Sequence, residues 1–575
     1  MFQDCAFLWG PTSPDAVFVP EDFSEEQRMI ADLTEKFASS EIVPLAGAID
    51  EMTPGLMPDL LRKAGELGLL SPDIPEQWGG MGLDLMSSML ITEGFCCNGS
   101  FVVSHTDHTA FGILPITLFG NDEQKARLLP ALASGEKLGA YALTEAGSGS
   151  DAQAARTKAT LSADGRHYLI NGSKQFTTNS GFADVIVTFA KVGDQLSAFL
   201  VDRHSEGLSL GNEEKKTGIW GSSTRSVTYE DVKVPLENLL FEVGKGHLVA
   251  FNVLNLGRLK LAALCVGTSK IALKHALKYA LERHQFGQPI ARFGLIRDKL
   301  VRMSVLAYVA ESMLYRACGR INETLAAFAD SGQGRAVAVG KHALECSMNK
   351  VFASEALDAV ADETVQIFGG YGFIQEYPAD QIYRNARINR IFAGTNEINR
   401  LIVAKALVDS VQEGQLAHFP QPDVPACDGC LRTAREGRVL AISKRALLLI
   451  VRMACEKHGA SLHGEQEILG LIADLAIKIH ALDSTLLRTR KALESERAER
   501  AAVKLDLLSC YCSDVSPALH RLCIEAFAAL APAEELEEHL KTIADLVTGV
   551  PLNTIPLRRR IASHLEEAGQ YAVSG

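Results

Sequence analysis

The spacing of hydrophobic and polar residues changes along this chain and predicts its domains. Residues 24–139 carry apolar positions at helical spacing, and Ser24 followed by Gln27 is a capping-box signature for the first helix. Residues 141–241 instead hold short β-rich runs, two pairs of which are joined by the turn sequences ADGR (163–166) and GD (193–194). The pattern therefore predicts a helical domain followed by a β domain.

Long helical patterns return over residues 247–409, and a proline-rich stretch without a period (415–430) predicts a linker to further helices at 431–575. We therefore predict an α+β protein. Its parts are an N-terminal helical domain (1–140), a middle β-barrel or sandwich domain (141–245), a C-terminal four-helix bundle (246–410), and a linker with an extra helical domain (411–575).

Composition narrows the functional classes. The formal net charge of −13 argues against a general nucleic-acid-binding surface. Twelve scattered cysteines are typical of a reducing compartment, and the Cys427/Cys430 pair lacks the second pair that a zinc site needs. The N-terminus has neither the basic region nor the apolar core of a secretion signal, and we find no apolar run of about 18 residues. We expect a cytoplasmic protein without a transmembrane segment.

Five segments are candidates for chemistry. They are YALTEAGSGSD (141–151), KQFTTN (174–179), ALERHQFGQPI (280–290), QIFGGYGF (366–373) and RINRIFAGTNEINR (387–400). The glycine and serine steps of the first let the backbone approach a ligand and its N–H groups hold oxygens, although a plain polar loop has the same composition. Taken alone, the second is an ordinary strand and the fourth a helix C-cap with a turn.

Together and in this order, these segments resemble the motifs of acyl-CoA dehydrogenases, and the resemblance covers about residues 24–409. It implies an FAD cofactor, an acyl-CoA substrate and an electron-transfer flavoprotein as electron acceptor. Residues 464–492 also resemble the helical extension of very-long-chain acyl-CoA dehydrogenases and their complex-I-assembly relatives. Those members are homodimers, so the resemblance implies a homodimer here.

The resemblance also implies roles for single residues. The implied cofactor contacts are Tyr141, Leu143, Thr144, Phe176, Thr178, Arg283, Gln285, Phe286, Gln366, Gly369, Gly370, Thr395 and Glu397. The implied substrate contacts are Ser150, Asn255, Arg258 and Gly394. Of two departures from the family motifs, Ala146 for Pro removes no hydrogen-bonding group, and Phe176 for Trp keeps an apolar wall with less area.

A third departure affects the chemistry. Ala393 stands where most of the family carries the Glu that removes the α-proton, and Gly257 stands at the alternative position used by a minority, beside Arg258. Loss of a general base typically costs about 10²–10⁴ in rate. The backbone N–H of residue 393 can still polarise the thioester. Glu397 is a poor substitute because it lies one helical turn away, and we expect Asp107 to be solvated on the surface.

Three functional hypotheses follow. The first is a dehydrogenase that desaturates a fatty acyl-CoA, of long chain by analogy, whose Glu was replaced by design or whose base lies elsewhere. The second is an acyl-CoA-binding flavoprotein with weak or no activity that serves as a structural or assembly factor. The third is a flavin-dependent elimination of a β-leaving group from an acyl-CoA.

Overall fold

The computed structural model describes residues 5–10, 13–328, 332–414, 431–548 and 551–573. The predicted linker 415–430, with Cys427 and Cys430, lies outside these ranges. The chain forms two compact units. The sheet unit consists of Ser24–Gly267 and Ile321–Gly340, and the bundle unit consists of Met1–Phe23, Thr268–Arg320 and Lys341–Gly575.

Apart from the short first helix, the helices occupy the regions that the periodicity predicted. In chain order they are α1 (Ala6–Trp9), α2 (Glu25–Phe37), α3 (Ala46–Asp50), α4 (Leu56–Glu66), α5 (Leu85–Gly94), α6 (Gly99–Thr106), α7 (Leu114–Phe119), α8 (Asp122–Ser134), α9 (Gly246–Glu282), α10 (Gly294–Ala327), α11 (Gly332–Gly340), α12 (Ala343–Phe368), α13 (Pro378–Ala386), α14 (Asn396–Gln412), α15 (Ala434–His458), α16 (Gln466–Ser495), α17 (Ala498–Leu530), α18 (Leu536–Ile543), α19 (Asp545–Thr548) and α20 (Ile555–Ala568).

The strands are β1 (Gly139–Ala142), β2 (Lys158–Leu161), β3 (His167–Thr178), β4 (Val185–Val192), β5 (Gln195–Asp202), β6 (Leu208–Leu210), β7 (Thr224–Pro235), β8 (Leu239–Leu240), β9 (His284–Gln285) and β10 (Gln288–Pro289). The first eight form one sheet in the order β6-β7-β3-β2-β4-β5-β8, and β1 pairs with β4 in parallel. Both predicted hairpins, β2–β3 and β4–β5, are present and antiparallel. The middle domain is thus a single mixed sheet.

The capping box expected at Ser24 is formed, and α8 is capped at both ends. Ser24 and Gln27 exchange hydrogen bonds as a capping box at the start of α2, and Asn121 and Gln124 do the same at α8. Gly135 ends α8 in the left-handed region with φ +77°. These local contacts satisfy helix-end groups that would otherwise lack partners.

The bundle unit has its own apolar core. Helices α12, α14, α15, α16 and α17 pack against one another around it. Phe7, Leu8 and Trp9 from the N-terminus are buried in the same core. The N-terminal segment up to Phe23 therefore belongs to the bundle unit and not to the helical domain that follows it in sequence.

A buried ion network joins distant segments of the bundle unit. The Arg488 guanidinium, with no exposed side-chain surface, donates to Glu21 at 2.7 Å and to Glu311 at 2.7 Å. Glu311 also pairs with Lys270 at 2.6 Å and accepts a hydrogen bond from the Tyr571 hydroxyl at 2.8 Å. Burial alone would raise the pKa of Glu311, but Lys270 and Arg488 hold it well below its usual range.

One described helix, α9, is long and apolar enough by composition to span a membrane, and the sequence analysis had not marked it. In this fold 83% of its apolar window is buried. Most of this apolar window is therefore covered by protein.

Candidate functional site

Tyr141 lies on β1 of the sheet unit, opposite Val187 of β4. Its ring centroid is 5.0 Å from that of Phe189 and 5.4 Å from that of Phe111. Its hydroxyl is buried without a hydrogen-bond partner among the described residues. Burial raises the pKa of Tyr141, so the group stays a neutral phenol.

The segment after β1 forms a tight turn. The Glu145 N–H donates to Ser148 O at 3.0 Å, and the Ser148 N–H donates to Glu145 O at 3.1 Å. Ala146 and Ser150 are exposed, while Leu143 and Thr144 are half-buried. The turn is thus closed by backbone hydrogen bonds, and the missing proline is not needed to hold it.

Glu145 anchors this turn to β3. Its carboxylate accepts from Lys174 Nζ at 2.7 Å, from the Thr157 hydroxyl at 2.6 Å and from the Arg156 N–H at 2.6 Å. Burial alone would raise the pKa of Glu145, but these hydrogen bonds lower it to about 2. Lys174 Nζ also donates to Leu143 O at 3.1 Å. The Glu145–Lys174 ion pair was not predicted from the sequence, although each residue lies within one of the quoted motifs.

Phe176 and Thr178 lie at the end of β3, where the pairing with β7 is irregular between Lys174 and Thr177. Phe176 has φ +55° and 61% of its surface exposed. Strained residues of this kind cluster at ligand sites because the surroundings must hold them in place. An aromatic ring is thus presented on the surface of the sheet unit, where the resemblance expected a flavin-facing wall.

Asn255 and Arg258 are both buried on α9, and the Arg258 guanidinium donates to Asn255 Oδ1 at 2.8 Å. A Cβ placed on Gly257 would lie 2.5 Å from the Phe111 ring. The alternative position for a catalytic Glu is therefore filled by a neighbouring ring as well as lacking a carboxylate.

Asp107 corrects one prediction. It begins a π-helical turn, Asp107–Ile113, and its Oδ2 is buried without a hydrogen-bond partner in the part of the chain that the structure describes. Burial raises the pKa of Asp107 well above its usual range, and its carboxyl in turn raises the pKa of Tyr141. The expectation of a surface-solvated side chain was wrong because the turn packs against β1. Below its raised pKa this carboxyl is protonated and cannot accept a proton, although its carboxylate form is a stronger base than an ordinary Asp.

Asp107→Asn is expected to stabilise the protein increasingly as pH rises. Because the folded-state pKa is raised, the wild type loses stability relative to the Asn variant above pH ~4, by up to about 1.4 kcal/mol per pH unit until the folded pKa is passed. We expect little difference at pH 4 and a gain on the order of 1–3 kcal/mol at pH 8, measured by urea unfolding. The exposed Glu376→Gln is the control, and equal effects of both variants at the two pH values would contradict the assignment.

In the bundle unit, the Arg283 guanidinium lies 5.7 Å from the centroid of the Tyr371 ring. The hairpin that follows turns at Phe286 and Gly287, with φ +51° and +80°, as a two-residue turn with two positive φ values requires. Phe286 is 93% exposed and Gln285 is also exposed. The motif thus presents a cation and an aromatic side chain on one hairpin.

Gln366, Gly369 and Gly370 lie at the exposed C-terminal end of α12. Gly369 caps the helix with φ +61°, which confirms the cap reading. A Cβ on Gly369 or Gly370 would meet no atom within 4 Å, so open space adjoins both glycines. There is thus open space at this helix end, where the resemblance implies contacts to the cofactor.

The 393–395 loop (Ala393, Gly394 and Thr395) precedes α14. Ala393 and Gly394 have φ +55° and +83°, and Thr395 caps α14 by accepting from the Ile398 N–H. Glu397 is exposed in the first turn of α14, and its own backbone N–H together with the Thr395 hydroxyl lowers its pKa. A carboxylate held at its helix end in this way is a weak base.

The predicted residues therefore form two groups, one in each compact unit. The sheet unit holds Tyr141, Leu143, Thr144, Ser150, Phe176, Thr178, Asn255 and Arg258, and the bundle unit holds Arg283, Gln285, Phe286, Gln366, Gly369, Gly370, Ala393, Gly394, Thr395 and Glu397.

Four family models match the chain. They are the N-terminal domain (24–136), the middle domain (140–232) and two C-terminal domains (244–408 and 442–544) of acyl-CoA dehydrogenase. These ranges follow the change from helices to sheet and back, and the last covers the extra C-terminal region from within α15 to α18.

Comparison with individual relatives points to the same family as the family models. The chain is 43% identical to a probable acyl-CoA dehydrogenase of Bacillus subtilis over 99% of this chain and 98% of that protein. It is 33% identical to the mitochondrial very long-chain specific acyl-CoA dehydrogenase of Homo sapiens over 93% of this chain and 85% of that one. A crystal structure of acyl-CoA dehydrogenase complexed with FAD from Bacillus anthracis superposes with a TM-score of 0.95 at 43% identity, and all of both chains is covered. The chain belongs to the acyl-CoA dehydrogenase family.

Proposed function

We propose that this protein binds FAD and a long-chain fatty acyl-CoA and catalyses α,β-desaturation slowly, because residue 393 supplies no carboxylate. The observation that carries the proposal is the 393–395 loop. Its strained backbone is kept at the head of α14, while the side chain that should accept the α-proton is a methyl group. A site that had lost its ligand would have no reason to keep a strained backbone.

The described residues fit FAD. Open space adjoins Gly369 and Gly370, and the exposed Phe176 ring is held with positive φ. The planar fork of Arg283 suits a pyrophosphate. Bound FAD would supply the acceptor for the hydride that leaves the β-carbon.

The chain's own residues support binding and polarisation of the substrate but not removal of its proton. A backbone N–H at residue 393 would donate to the thioester oxygen and favour the enolate-like charge that develops there. Neither Gly257 nor Ala393 offers a base, and the lowered pKa of Glu397 makes its carboxylate a weak one. The expected result is tight binding with slow turnover.

We further propose a homodimer that works in the cytoplasm and passes electrons to an electron-transfer flavoprotein. Three large apolar side chains in the bundle unit support the dimer: Phe286, Phe373 and Leu295 are 93%, 86% and 82% exposed. Exposed apolar residues of this size mark a partner surface where they form one contiguous patch. The long-chain preference rests on the likeness to the very long-chain specific relative.

The test is an anaerobic titration of the purified yellow protein with acyl-CoA thioesters of increasing chain length. We expect a saturable change in the flavin spectrum with long-chain acyl-CoA, little bleaching, and a dimer by light scattering. Absence of flavin, or a spectrum that no acyl-CoA changes, would contradict the proposal. Release of a small anion from a β-substituted acyl-CoA would favour elimination instead.

A further inference from the structure

Lys350 lies beneath the 393–395 loop within the bundle unit. It is fully buried on α12, and its Nζ donates to Gly394 O at 2.9 Å and to Asn396 Oδ1 at 2.6 Å. Asn399 Nδ2 donates to the same Gly394 carbonyl at 2.8 Å. One carbonyl of the loop thus has two side-chain donors.

These hydrogen bonds act on the most strained part of the loop. An L-residue such as Ala393 adopts positive φ only at a cost, and such a conformation persists when the surroundings over-determine it. Because the peptide group is planar and trans, fixing Gly394 C=O also directs the Thr395 N–H to the side away from Lys350. The two donors therefore fix the orientation of the peptide group between Gly394 and Thr395.

We propose that Lys350 is a positioning residue that holds the 393–395 loop in the conformation from which its backbone contacts the acyl-CoA thioester. The ligand in this inference rests on the proposed function, whereas the control of loop conformation does not. Lys350 acts through the backbone of the loop and touches no reacting atom. By fixing the Gly394 carbonyl it restrains the neighbouring Ala393, whose N–H would polarise the substrate.

The first test measures acyl-CoA affinity in the FAD-bound protein by the change in the flavin spectrum. Lys350→Met should raise the dissociation constant about tenfold, the equivalent of one lost buried hydrogen bond. Ala393→Gly added to Lys350→Met should restore most of the affinity, because glycine adopts positive φ without strain. The matched control is Lys444→Met: Lys444 is also buried in the bundle unit and donates to two backbone carbonyls, Phe7 O and Gly10 O. It should leave the affinity unchanged.

The second test needs no acyl-CoA. Hydrogen–deuterium exchange of the amides at 392–396 should be faster in Lys350→Met, return towards wild type when Ala393→Gly is added, and stay unchanged in Lys444→Met. If Lys350→Met does not fold, Asn399→Ala is used instead, because it removes the other side-chain donor to the Gly394 carbonyl. The same changes in exchange are expected for it. Unchanged exchange in the loop, or no rescue by Ala393→Gly, would overturn the inference. The two tests can disagree. If exchange is faster in Lys350→Met and is rescued by Ala393→Gly, but the wild type binds no acyl-CoA, then Lys350 controls the loop conformation and only the proposed function is contradicted.

Discussion

Ala393→Glu is expected to speed flavin reduction by a long-chain acyl-CoA by about 10²–10⁴-fold, the usual contribution of a general base. The physical reason is that the 393–395 loop already has its positive φ values and its support from Lys350, so the carboxylate would be added to a prepared site. Stopped-flow absorbance of the flavin under anaerobic conditions measures the rate. FAD content and acyl-CoA affinity should change little.

Ala393→Gln is the matched control because it has nearly the size of Glu without a basic group. It should bind acyl-CoA as the Glu variant does and reduce its flavin no faster than the wild type. Equal rates for the wild type and the Glu variant would mean that another group already takes the proton. Asp107→Asn would then identify whether that group is Asp107.

Arg488→Met is expected to destabilise the bundle unit by about 3–5 kcal/mol, as breaking a buried ion pair does. Its guanidinium has no exposed surface and holds Glu21 and Glu311 together. Arg488 contributes to the lowered pKa of both carboxyls, so the stability it confers is present above their unfolded pKa near 4 and is lost as pH falls. Urea unfolding at pH 7 and pH 4 should therefore show a larger deficit at pH 7.

The control for this variant is Arg521→Met in the same unit. Arg521 and Glu525 form an exposed ion pair, with 66% and 45% of their side chains accessible. Such pairs contribute about 0–1 kcal/mol. If the two Arg variants lose the same stability, or if the Arg488 deficit is as large at pH 4 as at pH 7, the buried network does not act as described.

Most of the fold was predictable because local signals agree with the tertiary structure. The capping box at Ser24 forms as predicted, and both turn sequences in the β region join antiparallel strands. The order of helical and β-rich patterns along the sequence matches the order of helices and strands in the structure. The membership of residues 1–23 in the bundle unit was not predictable, since it depends on packing against helices more than 400 residues away.

From the sequence, only the motif residues of the candidate site could be predicted, and not their conformation or burial. No local pattern indicates that Phe176 and Ala393 have positive φ, because tertiary contacts impose that conformation. The burial of Asp107 depends on how a π-helical turn packs against β1. Lys350 bears no motif, and its hydrogen bond to Gly394 spans 44 residues. Such roles arise from the packing of side chains that are distant in sequence.

The central claim is that this protein binds and polarises an acyl-CoA but has no group that removes the α-proton. Deuterium incorporation tests it most directly. The FAD-bound wild type and Ala393→Glu are incubated anaerobically with a long-chain acyl-CoA in D₂O, and deuterium at the α-carbon is followed by mass spectrometry. We predict incorporation by Ala393→Glu and incorporation about 10²–10⁴-fold slower by the wild type. Incorporation by the wild type at the rate of the Glu variant would contradict it.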